Sequence, residues 1–108
     1  MMNLKTFSED HFKSTIDSCP GLVILVVTEP WSGNSYMLEL TITNLREAFL
    51  KLVSVFKIDF DQSKKIIETF SVRQVPSILF LKHSQLIDQL TGAISGKELL
   101  KKIQSLSV

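Results

Sequence analysis

A single cysteine, Cys19, stands among the 108 residues. One thiol cannot close an intrachain disulfide, and it excludes every metal or redox motif built on a C-x-x-C pair. A surplus of charge is missing too: twelve Lys and Arg face eleven Asp and Glu, for a formal net charge of +1. That balance gives no electrostatic reason to expect nucleic acid or an acidic membrane surface as a partner. Long hydrophobic runs are also absent. The longest, Leu22 to Val27, falls far short of the roughly 20 residues that span a bilayer. Met1 to Phe12 mixes Asn, Lys, Glu and Asp with apolar residues, and so lacks the apolar core of an export signal. No repeat, linker or low-complexity segment interrupts the chain. These absences predict a soluble, cytoplasmic protein. A hydrophobic content of 44% suffices at this length for one core but not two, so residues 1–108 are expected to form a single domain.

The elements then follow from local pattern. Gly21 to Thr28 reads G-L-V-I-L-V-V-T, a β-branched run without alternation, as expected of a central strand covered on both faces. Before it, Ser8 is placed to cap a helix carrying Phe12, Ile16 and an inward-facing Cys19, with Pro20-Gly21 as its stop. After it, Leu38, Ile42, Leu45, Phe49 and Leu52 recur at steps of four, three, four and three, the stripe of a long amphipathic helix. Val53 to Asp59 reads as a strand, and Asp61 or Ser63 can cap a short helix with Ile66, Ile67 and Phe70. Ser77 to Lys82 and Leu86 to Thr91 read as a hairpin joined through His83-Ser84-Gln85. Ser95-Gly96-Lys97-Glu98 is a capping box leading into a last helix with Leu99, Leu100, Ile103 and Leu106. With a leading strand at Leu4 to Phe7, the order is β-α-β-α-β-α-β-β-α. Parallel pairing through right-handed crossovers, closed by an antiparallel hairpin, makes this a three-layer α/β/α sandwich with a mixed sheet.

Three element ends carry more specific information. Trp31-Ser32-Gly33-Asn34-Ser35 opens the long helix, Val75-Pro76-Ser77 leads into the strand Ile78-Leu79-Phe80-Leu81, and Gly92 follows the last strand. Lys57-Ile58-Asp59-Phe60-Asp61 and Phe70-Ser71-Val72 complete the set. In this order, from about Phe7 to Leu106, the motifs resemble those of the thioredoxin family. There W-C-G-P-C opens the long helix, a cis-proline segment precedes the hairpin, K-x-N/D-x-D ends the third strand, Y-G-I marks a turn, and a glycine lines the substrate groove. The resemblance implies the thioredoxin fold.

For chemistry the same resemblance argues the other way. In the family the first motif cysteine attacks as a thiolate and the second resolves the mixed disulfide. Ser32 and Ser35 stand at those positions, and a hydroxyl is too weak an acid to take either part. The buried acid of the preceding strand aligns with Val26, the motif proline with Asn34, and the proline that kinks the long helix with Leu40. Five linked departures imply natural loss of the redox cycle, so no catalytic residue is assigned to the degenerate motif. The cis-proline groove needs no thiol. Trp31, Val75, Pro76 and Gly92 are candidates for binding an extended peptide or partner protein by strand addition; the alternative is that they only shape the loop.

Other residues take plainer readings. Ser32 is placed to cap the long helix; hydrogen bonding to an anion or thiolate, as in some glutathione transferases, is the less favoured role. Cys19 reads as a buried structural thiol. An oxidoreductase acting through Cys19 or a partner thiol is the rival to a redox-inactive binding or adaptor module. His11 and His83 read as solvent-facing, and Asp59 and Asp61 as turn and cap residues rather than metal ligands. Tyr36, Met37 and Leu40 extend either the core or a patch beside the motif. No cofactor or metal is expected, and the sequence names neither the partner nor an oligomeric state.

Overall fold

The computed structural model describes residues 5–6, 11–29, 32–49, 53–92 and 94–107, with side chains described for all of these except 5–6 and 46–49. Its elements are β1 (Lys5–Thr6), α1 (Phe12–Asp17), β2 (Leu22–Thr28), α2 (Gly33–Phe49), β3 (Val53–Asp59), a 3-10 turn (Phe60–Gln62), α3 (Lys64–Thr69), β4 (Ser77–Lys82), β5 (Gln85–Thr91) and α4 (Gly96–Leu106). The sheet order is β1-β3-β2-β4-β5. β1 and β2 run parallel to β3, whereas β4 is antiparallel to β2 and β5 to β4. This is the mixed sheet and the element order that the sequence pattern implies.

β2 is the reason the molecule has three layers. Every one of its side chains is buried, and alternate residues of a strand face opposite sides. Leu22, Ile24 and Val26 join Leu38 and Ile42 of α2, Ile78 and Phe80 of β4, and Leu99 and Ile103 of α4. Val23, Leu25 and Val27 join Ile16 of α1, Ile58 of β3, Ile66 of α3, and Leu79 and Leu81 of β4. Full burial of each such side chain contributes about 1.5–3 kcal/mol. Helices are therefore required on both faces of the sheet.

Local chemistry sets the boundaries, in places differently from the sequence reading. α1 ends at Asp17, with Ser18 as C-cap, earlier than a stop at Pro20-Gly21 would place it. The residue preceding a proline is driven out of helical geometry, and here that residue is Cys19. Cys19 thus lies beyond the helix; half-buried, it packs against the Ile16 cluster, and its Sγ donates to Thr15 O at 3.2 Å. His11 occupies the N-cap position of α1, and Ser8 lies outside the described residues. So do Leu4, Phe7, Leu52 and the Phe49 side chain. Ser63 sits at the N-cap of α3 without a side-chain cap bond, while Asp59 Oδ1 accepts from Asp61 N at 2.9 Å and caps the 3-10 turn.

The hairpin turn is two residues rather than three. His83 and Ser84 have φ of 52° and 65°, the paired positive values that match a two-residue turn to strand twist, so β5 starts at Gln85. Ser84 Oγ donates to the Asp17 carboxylate, tying this turn to the end of α1. At the other end of the molecule, Ser95 Oγ accepts from Glu98 N at 3.1 Å, which is the N-terminal cap of α4 expected from the sequence. Lys102 Nζ lies 2.8 Å from Asp88 Oδ2 and joins α4 to β5. That bond and the Gln89 N–H hold the Asp88 carboxyl below its ordinary range.

Phe80, fully buried opposite Ile24, tests this core. Phe80→Ala is expected to lower unfolding stability by about 3–5 kcal/mol, read as a fall in the urea midpoint with unchanged slope. Leu86→Ala on exposed β5 should change it by no more than about 0.5 kcal/mol.

Candidate functional site

The sheet brings the motif-bearing chain ends to one place. Thr28 pairs with Asp59, Val27 with Ser77, and Ser77 with Thr91. The ends of β2 and β3, the start of β4 and the end of β5 therefore share one sheet end. The loop into α2, the Val75–Pro76 segment and Gly92 all leave from it. In an α/β sheet this is where ligands bind, beyond the carboxyl ends of the parallel strands.

At the entrance to α2 both serines are engaged in the fold. Ser32 Oγ accepts from Ser35 N at 3.3 Å, a hydroxyl N-cap. Ser32 N donates to Glu29 O at 3.1 Å, and Tyr36 N donates to Ser32 O at 3.0 Å. Ser35 is 0% exposed, and its Oγ accepts from Glu29 N at 3.0 Å. One hydroxyl caps the helix and the other ties the helix back to the chain leaving β2. Gly33 and Asn34 between them are exposed. Trp31 lies outside the described residues.

Across the same sheet end, the Val75–Pro76 bond is cis and Pro76 is buried. Gly92 N donates to Pro76 O at 3.0 Å, and Ser77 Oγ donates to Gln74 O at 2.6 Å. Gly92 has φ +81° with no atom within 4 Å of where a Cβ would stand. Glycine is thus favoured there by backbone conformation and not by crowding. Val75 is half-buried, and among the described residues neither its N–H nor its C=O has a hydrogen-bond partner. Of the four binding candidates, Pro76 and Gly92 are in direct contact and Val75 adjoins them.

The interior beneath the site is hydrocarbon. Val26 is 0% exposed and packed among Ile24, Leu38 and Ile78. Its neighbour in register is Lys57, whose Nζ reaches Glu39 Oε1 on α2 at 2.9 Å. No carboxylate stands at Val26 to take up or release a proton. Among the described residues no three His, Cys, Asp or Glu converge as a metal site. His11 and His83 are exposed.

A family model of thioredoxin matches residues 3–105. The chain belongs to the thioredoxin family. Thioredoxin of Chlamydia pneumoniae is 31% identical over 100 residues, covering 93% of this chain and 94% of that protein. Thioredoxin-1 of Drosophila melanogaster is 26% identical over 97 residues, 90% of each. A solved chain from work on the thiol resolving mechanism in yeast mitochondrial 1-Cys peroxiredoxin via glutathione/thioredoxin systems is also similar. It has a TM-score of 0.83 and 26% identity over 95% of each chain.

Within this thioredoxin-family frame, several features at the site escaped the sequence reading. The Ser35–Glu29 bond depends on how the intervening loop folds. The Lys57–Glu39 pair joins residues brought together only by sheet register. A third feature had a partial signal. Tyr36 and Met37, suspected of exposure, are 55% and 60% exposed, whereas Leu40 is half-buried. Met37 lines a cleft of about 460 Å³ with Asn34, Leu38, Thr41, Ile94, Ser95 and Glu98.

Removing the Ser35 hydroxyl leaves the Glu29 N–H without its acceptor, so Ser35→Ala is expected to cost about 2 kcal/mol. Ser32→Ala loses one helix cap and should cost about 1 kcal/mol. Urea unfolding of the two variants checks the ranking; a larger loss at Ser32 would contradict these roles.

Proposed function

We propose that this chain is a redox-inactive member of the thioredoxin family that binds an extended segment of a partner protein or peptide at the cis-proline groove. The observation that carries the proposal is the state of the two ends of the groove. The hydroxyls of Ser32 and Ser35, at the positions of the family's motif cysteines, are bonded to backbone N–H groups. The main chain of Val75 is left without a partner among the described residues. A hydroxyl neither forms a mixed disulfide nor resolves one, whereas an unpaired N–H and C=O beside a sheet end are the groups that strand addition uses. Trp31, next to Ser32 in sequence, supplies the aromatic anchor such a groove favours.

Val26 supports the same reading, because proton transfer during resolution calls for an ionisable group where this chain packs a methyl-bearing side chain. Cys19 offers no second route. Its thiol is half-buried against the Ile16 cluster and donates to the Thr15 carbonyl. Reactive cysteines, by contrast, sit exposed in electropositive surroundings.

Insulin reduction in the presence of a dithiol reductant is the test. The chain is expected to give background turnover, unchanged in Cys19→Ser. Activity above background that disappears in Cys19→Ser would overturn the proposal in favour of an oxidoreductase.

A further inference from the structure

The sheet is open along β5. In the order β1-β3-β2-β4-β5 it is an end strand, and among the described residues its one strand partner is β4. Which of its main-chain groups face outward follows from the pairing. Gly92 N donates to Pro76 O and Thr91 pairs with Ser77, so Gly92 is a hydrogen-bonded position of the ladder. Antiparallel pairs alternate between bonded and non-bonded positions. Leu90 and Asp88 therefore turn their N–H and C=O groups towards β4, and Gln89 and Thr91 turn theirs away from it. Further along, Asp88 pairs with Phe80 and Leu86 with Leu81, which leaves Ile87 as the extra residue of a bulge. Leu86 and Ile87 are 36% and 43% exposed. The strand Q-L-I-D-Q-L-T holds neither proline nor lysine, the residues that commonly blunt such an edge.

One contact blunts it instead. The outward Gln89 N–H donates to Asp88 Oδ1 at 2.8 Å, so the carboxylate of the preceding residue takes the place that a neighbouring strand's carbonyl would occupy. The other carboxylate oxygen, Oδ2, lies 2.8 Å from Lys102 Nζ of α4. Both oxygens are thus engaged, one on the edge and one on a helix that is itself packed on the core through Leu99 and Ile103.

We infer that Asp88, held by Lys102, guards the open edge of β5 against antiparallel pairing with β5 of a second copy of this chain. A second copy is the occupant that this edge fits. A two-fold axis through Gln89 sets each Gln89 N–H against the Gln89 C=O of the other copy, a bonded pair of an antiparallel ladder. The same axis places the exposed Ile87 opposite Thr91, a β-branched pair, and Asp88 opposite Leu90. Asp88 is the only charged residue of the strand, so once its carboxylate is removed no charge on the strand opposes the pairing. The five residues from Ile87 to Thr91 extend about 17 Å, a contact well below the roughly 800 Å² per partner of a stable interface. The unguarded pair is therefore a weak, reversible dimer in which two five-stranded sheets meet edge to edge.

The test is sedimentation equilibrium of the full chain from micromolar to millimolar concentration, with amide hydrogen exchange read by NMR. The wild-type chain is expected to stay monomeric. Asp88→Ala, or Asp88→Val with its higher strand propensity, removes the acceptor on Gln89 N–H. Either should give a weight-average mass that rises with concentration towards that of two chains, with exchange at the Gln89 and Thr91 amides slowing as it rises. Lys102→Met breaks the tie to α4 but leaves the Asp88 carboxylate beside Gln89 N–H, and should stay monomeric. Adding Gln89→Pro, which removes an N–H that the ladder to β4 does not use, or Ile87→Lys, which sets a charge on the edge, should return the Asp88 variants to monomers. Asp88→Ala and Asp88→Val chains that both stay monomeric overturn the inference, as does a wild-type chain that dimerises as strongly as they do. Association that survives both Gln89→Pro and Ile87→Lys would place the contact elsewhere and overturn it too. Association of Lys102→Met equal to that of Asp88→Ala would assign the effect to the lost tie between α4 and β5, which also overturns the guard.

Discussion

Burial of β2 on both faces is the constraint on which the rest of the molecule depends. A strand reading L-V-I-L-V-V-T presents no polar side chain to water before Thr28, so each face must be covered by helices. α2 and α4 pack on one side and α1 and α3 on the other. The same strand fixes the site. Its parallel partner β3 and antiparallel partner β4 are in register with it to the last residues, so the loop into α2 and the Val75–Pro76 segment emerge side by side. Position at the sheet end is a product of core packing, not of the loop sequences.

What those loops do there is decided by atoms of small difference. A thiol and a hydroxyl at the N-terminus of a helix occupy similar space, and both feel the positive end of the helix dipole. Only the thiol ionises near neutrality and exchanges with disulfides. In this chain the two hydroxyls accept backbone N–H bonds at 3.0 and 3.3 Å, so the positions that carry chemistry in the family motif carry local structure here. Val26 extends the same change inward. It fills its place in the core with hydrocarbon, and the Lys57 ammonium beside it in register is met by Glu39 from α2. The contact between Pro76 and Gly92 is made by main-chain atoms and uses neither serine hydroxyl.

Much of this was legible from residue order. The unalternating run of β2, the stripe at Leu38, Ile42 and Leu45, and the Ser95 cap of α4 are local signals with a fixed period or spacing, and the structure places each accordingly. The motif spacing also located the sheet end that carries the site. Contacts across the fold were less legible. Glu39 and Lys57 are eighteen residues apart, and Glu29 meets Ser35 only after the loop has turned. The cleft between α2 and α4 depends on how closely two helices pack, as the approach of Leu45 to Gly96 illustrates. Asp59, rather than Asp61 or Ser63, supplies the side-chain cap after β3. Asp59 caps the 3-10 turn, and Ser63 takes the N-cap position of α3 without a side-chain bond. Cys19 lies outside the helix that its spacing suggested, because the proline after it counted for more than the apolar periodicity.

We propose that the serines at 32 and 35 belong to a site whose surroundings no longer support dithiol chemistry. The most direct measurement is insulin turnover by the double variant Ser32→Cys with Ser35→Cys. With Val26 and Asn34 unchanged, a folded chain with poor recovery of activity is expected. Turnover at ordinary thioredoxin rates in that double variant would contradict it.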